Sequence, residues 1–101
     1  MQTLTSVQNP LVKAVRALQT REGRDQSGLF LCEGERMVAE ALHADASAVQ
    51  TVFVAEDRRD AYAALLAKAD RAEVFCISAH VLEAISQVRT PQGIAATVRL
   101  P

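Results

Sequence analysis

Gly28-Leu29-Phe30-Leu31-Cys32-Glu33-Gly34-Glu35-Arg36, continued by Met37-Val38-Ala39-Glu40-Ala41-Leu42, changes period half-way. From Leu29 to Glu33 only the last residue is charged, which predicts a buried strand. Gly34 lets the backbone turn without a Cβ clash. Glu35 then opens a helix with a carboxylate, which the positive end of the helix dipole favours. Met37, Val38, Ala41 and Leu42 fall on one helical face. A strand feeds a helix through a tight, charged turn.

Upstream of that turn, Asn9-Pro10 is a helix start: Asn caps, and Pro occupies the first position, where an N–H is not needed. Leu11, Val12, Val15 and Leu18 make an apolar stripe, with Lys13, Arg16 and Arg24 on the other side of the same wheel. Gly23 reads as the helix stop, and Gly23 to Gly28 as a polar loop holding Arg24 near the mouth of the first strand.

Downstream, strand and helix alternate. Val49 to Ala55 is a second strand, and Asp57 caps a helix with Ala61, Tyr62, Leu65, Leu66 and Ala69 on its apolar face. Glu73 to Ile77 is a third strand, and Ser78 caps a short helix carrying Val81, Leu82 and Ile85. Arg89 to Gly93 is a turn and Gly93 to Arg99 the last strand. Crossover connections of this kind give a largely parallel or mixed sheet covered on two faces. The expectation is an α/β fold: a small three-layer α/β/α sandwich around a four-stranded, mixed sheet. At 101 residues it forms one domain with its own core.

No apolar run approaches the roughly 18 residues of a membrane span. The N-terminus has no charged start or apolar centre, so it does not read as a secretory signal. Cys32 and Cys76 each lie in an apolar strand and read as buried free thiols, which fits a cytoplasmic protein. There is no Cys-x-x-Cys spacing, and His43 and His80 lack ligand-like neighbours, so no metal is expected.

The net charge of −1 argues against a uniformly basic nucleic-acid binder. Residues 1–24 nevertheless carry Lys13, Arg16, Arg21 and Arg24 against Glu22 alone, a local +3 that leaves −4 for the remainder. From charge alone, a solvated helix surface is the plainer account. No nucleophile-elbow spacing and no glycine-rich phosphate loop is present. Glu33, at a strand's C-terminal end, has two readings: a base, or a turn carboxylate accepting from the N–H groups of the next helix, which is the plainer one. Arg36 could pair with Glu40 four residues on, or join Arg21 and Arg24 around the turn and meet phosphate with its planar fork. If Lys13, Arg16, Arg21 and Arg24 each neutralised one phosphate, raising salt from 50 to 200 mM would weaken binding roughly 50- to 150-fold.

Taken in order, Asn9-Pro10-Leu11-Val12-Lys13, then Arg21 and Arg24, then Gly28-x-Phe30-Leu31-x-Glu33-Gly34-x-Arg36-x-Val38-x-Glu40-Ala41-Leu42, then Pro91-Gln92-Gly93-Ile94-x-Ala96, resemble one family. The chain is similar to the N-terminal substrate-binding domain of the SpoU (TrmH-type) RNA ribose 2′-O-methyltransferases, over nearly its whole length. The resemblance implies a sandwich like that of ribosomal proteins that bind kink-turn RNA, and a role in holding structured ribosomal or transfer RNA. It implies Lys13, Arg16, Arg21, Arg24, Glu33 and Arg36 as candidates around the RNA. It also implies that S-adenosylmethionine and the catalytic residues belong to a knotted domain expected after residue 101. That domain would also be where the full-length protein dimerises. No catalytic residue and no cofactor site is expected in the chain itself. Two other accounts stay open at this point: a stand-alone ribosome-associated RNA-binding protein, and a receiver-like regulatory domain resting on Glu56-Asp57.

Overall fold

A computed structural model describes every residue from Met1 to Pro101. Its elements run β1 (Gln2–Leu4), α1 (Pro10–Ala17), α2 (Arg21–Ser27), β2 (Leu29–Glu33), α3 (Glu35–Asp45), β3 (Val49–Ala55), α4 (Ala63–Ala67), β4 (Glu73–Ile77), α5 (Ala79–Ile85) and β5 (Ile94–Arg99). The sheet has five strands in the order β1-β4-β3-β5-β2. β1 and β3 pair with β4 in parallel, whereas β5 is antiparallel to both β3 and β2. The mixed sheet follows from the connections: the helical crossovers α3 and α4 keep β2, β3 and β4 pointing one way. The non-helical return after α5 admits β5 from the opposite end.

Strand alternation divides the core into two layers. Cys32, Val52, Val54, Cys76, Ile94, Ala96 and Val98 face α3 and the α4 segment, where Val38, Leu42, Tyr62 and Ala69 close the cluster. Leu4, Phe53 and Ile77 face the other way and pack with Val12 and Val15 of α1 and Val81 and Ile85 of α5. Val49 joins the first cluster although it lies three residues from Val52, because a bulge between Val49 and Thr51 turns exposed Gln50 out of the ladder. Thr51 and Thr97 are the only buried polar residues, and their hydroxyls bond each other, so neither is left unpaired.

Three sequence expectations need correction. The sheet has five strands and not four, because Gln2–Leu4 forms an edge strand in register with Phe75, Cys76 and Ile77. With two of its three residues exposed, it carries no alternation to read. The second correction concerns Gly23 to Gly28, which is helix and not loop. The first helix closes near Leu18, and Thr20 caps a new one through its side chain, which accepts from the Gly23 N–H at 3.1 Å. Gly28, at φ 71°, ends it and returns its N–H to the Arg24 carbonyl at 2.8 Å. The helix expected from Asp57 onward is also shorter, with a 3₁₀ turn over Glu56–Arg58 before α4.

Candidate nucleic-acid interface

The strands β1, β4, β3 and β2 all end at one rim of the sheet, the rim at which α/β folds gather ligands. Three segments meet there: the Glu33–Gly34–Glu35 turn, the segment after β3, and residues 86–93 leading into β5. Gly34 donates its N–H to the Ile94 carbonyl at 2.9 Å, and the Glu35 N–H reaches the Gln92 side-chain carbonyl at 2.9 Å. Gln92 thus caps α3 in place of a side chain at the helix's own start. The Gln92 backbone carbonyl accepts from the Tyr62 hydroxyl at 2.8 Å. Left-handed backbone requires glycine at both positions of this rim, and space beside them is short as well. A Cβ on Gly34 (φ 92°) would stand 3.2 Å from Gln92 Oε1, and one on Gly93 (φ 86°) 2.8 Å from Arg58 Cγ.

Glu33 holds the other end of residues 86–92. Its carboxylate accepts from the Ser86 hydroxyl at 2.6 Å and from the Gln87 N–H at 2.8 Å. It does not cap α3, as the plainer sequence reading has it, because it lies on the α5 side of the sheet with Leu31. The Gln87 side chain continues this chain of bonds to the Gln19 carbonyl at 3.4 Å. In turn, the Gln19 side chain satisfies the terminal carbonyls of α5 at Ala84 (3.1 Å) and Ile85 (3.3 Å). The Arg24 guanidinium donates to the Leu18 carbonyl at 3.0 Å. Arg24 and Glu33 are therefore both anchors of the α1–α2–α5 junction.

The remaining candidates divide between surfaces. Lys13 and Arg16 are exposed on the outer side of α1. Arg21 stands 3.8 Å from Asp25 and Arg36 3.2 Å from Glu40; these are the two ion pairs in the molecule. Both are exposed i,i+4 contacts worth only about 0.3–0.5 kcal/mol, so either arginine can exchange its carboxylate for phosphate. Arg36 sits on α3, in the opposite helical layer from α1. Lys13 and Arg16 therefore do not share its surface.

Arg58 is a rim residue that the sequence reading passed over. Its guanidinium lies over the Tyr62 ring, 5.3 Å from the centroid, and it has no ion-pair partner. Tyr62 raises its pKa, so the charge is held. The Arg–x₃–Tyr spacing from Arg58 to Tyr62, in the turn after a strand, is the signal that could have found it.

Residues 9–96 match the MRM3-like substrate-binding domain. The chain belongs to that family. An uncharacterised tRNA/rRNA methyltransferase of Synechocystis is 31% identical to this substrate-binding domain, over 97% of the chain and 36% of that protein. The 23S rRNA (guanosine(2553)-2′-O)-methyltransferase of Bacillus subtilis is 29% identical over 100% of the chain and 39% of its own length. An rRNA methyltransferase from Sinorhizobium meliloti superposes with a TM-score of 0.77 at 25% identity, covering 99% of this chain and 37% of that one. The substrate-binding domain thus spans less than two fifths of each relative. The resemblance to SpoU-type methyltransferases drawn from the motifs holds at the level of family and fold.

Proposed function

We propose that this chain is the RNA-recognition domain of an S-adenosylmethionine-dependent ribose 2′-O-methyltransferase, with ribosomal RNA as substrate and transfer RNA as the other candidate class. The observation that carries this reading is the match of residues 9–96 to a substrate-binding domain family whose relatives are named as RNA methyltransferases. Its physical support is a set of exposed cations without carboxylate partners: Lys13 and Arg16 on α1, and Arg58 and Arg89 at the strand-end rim. Such groups release counterions when they meet phosphate, which drives binding even where the net charge is −1.

The chain's own residues bind and orient RNA; S-adenosylmethionine, when bound by the enzyme, supplies the methyl group. The glycines at the strand ends, Gly34 and Gly93, are isolated, and Gln92 and Arg58 occupy the space beside them, so they form no glycine-rich cradle for that cofactor. We therefore assign the cofactor, the catalytic residues and pairing into a homodimer to a separate domain of the full-length enzyme. No helix is long and apolar enough to cross a membrane. The buried free thiols Cys32 and Cys76 suit a reducing cytoplasm.

The test is methyl transfer from labelled S-adenosylmethionine to 23S ribosomal RNA and to transfer RNA by the full-length enzyme, with and without residues 1–101. The expected result is transfer that collapses without them, together with RNA binding by the 101-residue chain alone. Undiminished transfer by the truncated enzyme, or no RNA binding by the chain, would overturn the assignment.

A further inference from the structure

Two recesses open on the strand-end rim, of about 490 Å³ and about 420 Å³, each within the roughly 300–1,000 Å³ of small-ligand sites. Leu82 and Pro91 line both, so the two form one groove. Arg58 stands in the first recess and Arg89 in the second, neither with a carboxylate partner. Arg58 is held in place by its stack on Tyr62. The backbone carrying Arg89 is anchored on both sides, by Glu33 at Ser86 and Gln87 and by Gln92 at Glu35 and Tyr62. Two nucleotide-sized hollows side by side, with Leu82 and Pro91 shared between them and an arginine in each, match an unstacked strand whose phosphates meet the arginines. A duplex would not fit, since its bases are already stacked and its backbones lie too far apart to enter.

We propose that this groove seats an unpaired stretch of RNA, one nucleotide in each recess, with Arg58 and Arg89 on its phosphates and Leu82 and Pro91 against its bases. The inference rests on the RNA reading above and adds to it which part of the RNA is gripped. Glu83 lines the second recess beside Arg89, and Glu35 and Asp57 line the first. Their carboxylates repel phosphate and accept hydrogen bonds, so the base there is one with an amino group on its edge, and uracil is disfavoured. The exposed cations of α1 lie outside the groove and serve the flanking helix through its backbone.

The experiment is fluorescence anisotropy of the 101-residue chain with two labelled RNAs of equal length, one an uninterrupted hairpin stem and one with two unpaired cytidines within it. The wild type is expected to prefer the bulged RNA by about tenfold or more. Arg89→Ala, a change at an exposed residue that leaves the core untouched, should weaken bulged-RNA binding by about tenfold, the worth of one bond to a charged group, and leave the stem alone. Arg58→Ala should do the same, and replacing the two cytidines by uridines should weaken binding in the wild type. Equal wild-type affinity for the two RNAs, or equal losses on both from Arg89→Ala, would overturn the groove assignment while the RNA reading stands. No binding to either RNA would overturn both.

Discussion

Glu33 owes its place to what lies more than fifty positions further along the chain. Half-buried at the end of β2, it spends both carboxylate oxygens on Ser86 and Gln87. Glu33→Ala leaves the Gln87 N–H without its acceptor and the Ser86 hydroxyl with only the Val88 carbonyl at 3.3 Å. A loss of about 1.5–3 kcal/mol in urea-unfolding free energy is expected, the value of hydrogen bonds to a charged group. Amide exchange at Gln87 should speed up with it; unchanged exchange there would refute the anchoring role. The carboxylate was visible in the sequence, but its partners were not, because hydrogen bonds between distant segments depend on strand order. Gly23 was legible in kind and misread in purpose. It looks like a helix stop, yet it lies inside α2, where a Cβ would come 1.9 Å from the Ala17 carbonyl oxygen. A glycine chosen for close approach and one chosen for a left-handed turn are identical in sequence. Cys32 offers a pH test. Burial is the main cause of its raised pKa, with the neighbouring Glu33 charge adding to it, so the folded thiol keeps its proton past the ordinary 9.0. Its contribution is complete below pH 9.0 and is lost as pH rises through the folded value. The stability advantage of wild type over Cys32→Ala should therefore shrink between pH 8 and pH 11, and a constant difference would contradict the burial account.

At the level of elements, the strands β2, β3 and β4 fall where their apolar runs end, at Leu29–Glu33, Val49–Ala55 and Glu73–Ile77. β3 and β4 are interior strands, and β2, although it lies at the sheet edge with only Cys32 buried, keeps the same apolar run. The caps at Asn9 and Ser78 also hold, accepting from Leu11 N at 2.8 Å and Val81 N at 3.2 Å. Two elements escaped for opposite reasons. β1 is too short to show a period, and its strand state comes from the free edge of β4. The seven-residue α2 has no buried residue, so no apolar stripe marks it; its Thr20 cap and Gly28 end were the readable signs. β1 still matters to the core through one side chain, Leu4, which is 3% exposed and sits with Ile77 and Phe53. Leu4→Ala should cost about 2–4 kcal/mol in urea unfolding, as for other buried leucines. Thr3→Ala, on an exposed neighbour in the same strand, should cost under about 0.5 kcal/mol. Similar losses from both would mean that β1 acts through its backbone ladder and not through Leu4.

Over the whole molecule, the three-layer sandwich keeps apart what the linear chain places together. Lys13, Arg16, Arg21, Arg24 and Arg36 look in sequence like one basic neighbourhood around the Glu33–Gly34 turn. In the fold, Arg24 is bonded to the Leu18 carbonyl, Arg21 and Arg36 pair with carboxylates, and α1 and α3 cover opposite faces of the sheet. The cations left without carboxylates include Lys13 and Arg16 on α1, and Arg58 and Arg89 on the rim, the four proposed to contact RNA. One RNA that reaches both surfaces would touch four of them. At about 0.7–0.9 counterion per contact, its affinity should fall with salt with a log–log slope of about 3. Removing the α1 pair with Lys13→Ala and Arg16→Ala should halve that slope, and should weaken stem and bulged RNAs alike because backbone phosphates carry no sequence information. Arg89→Ala should lower the slope by about one contact only on the bulged RNA. The two surfaces lie apart and share no partner, so combining these changes should give free-energy losses that add within about 0.5 kcal/mol. Additivity with a shared fall in slope means one RNA spans helix and rim together. If the α1 pair leaves the slope untouched, those side chains face solvent, and the rim alone holds the substrate.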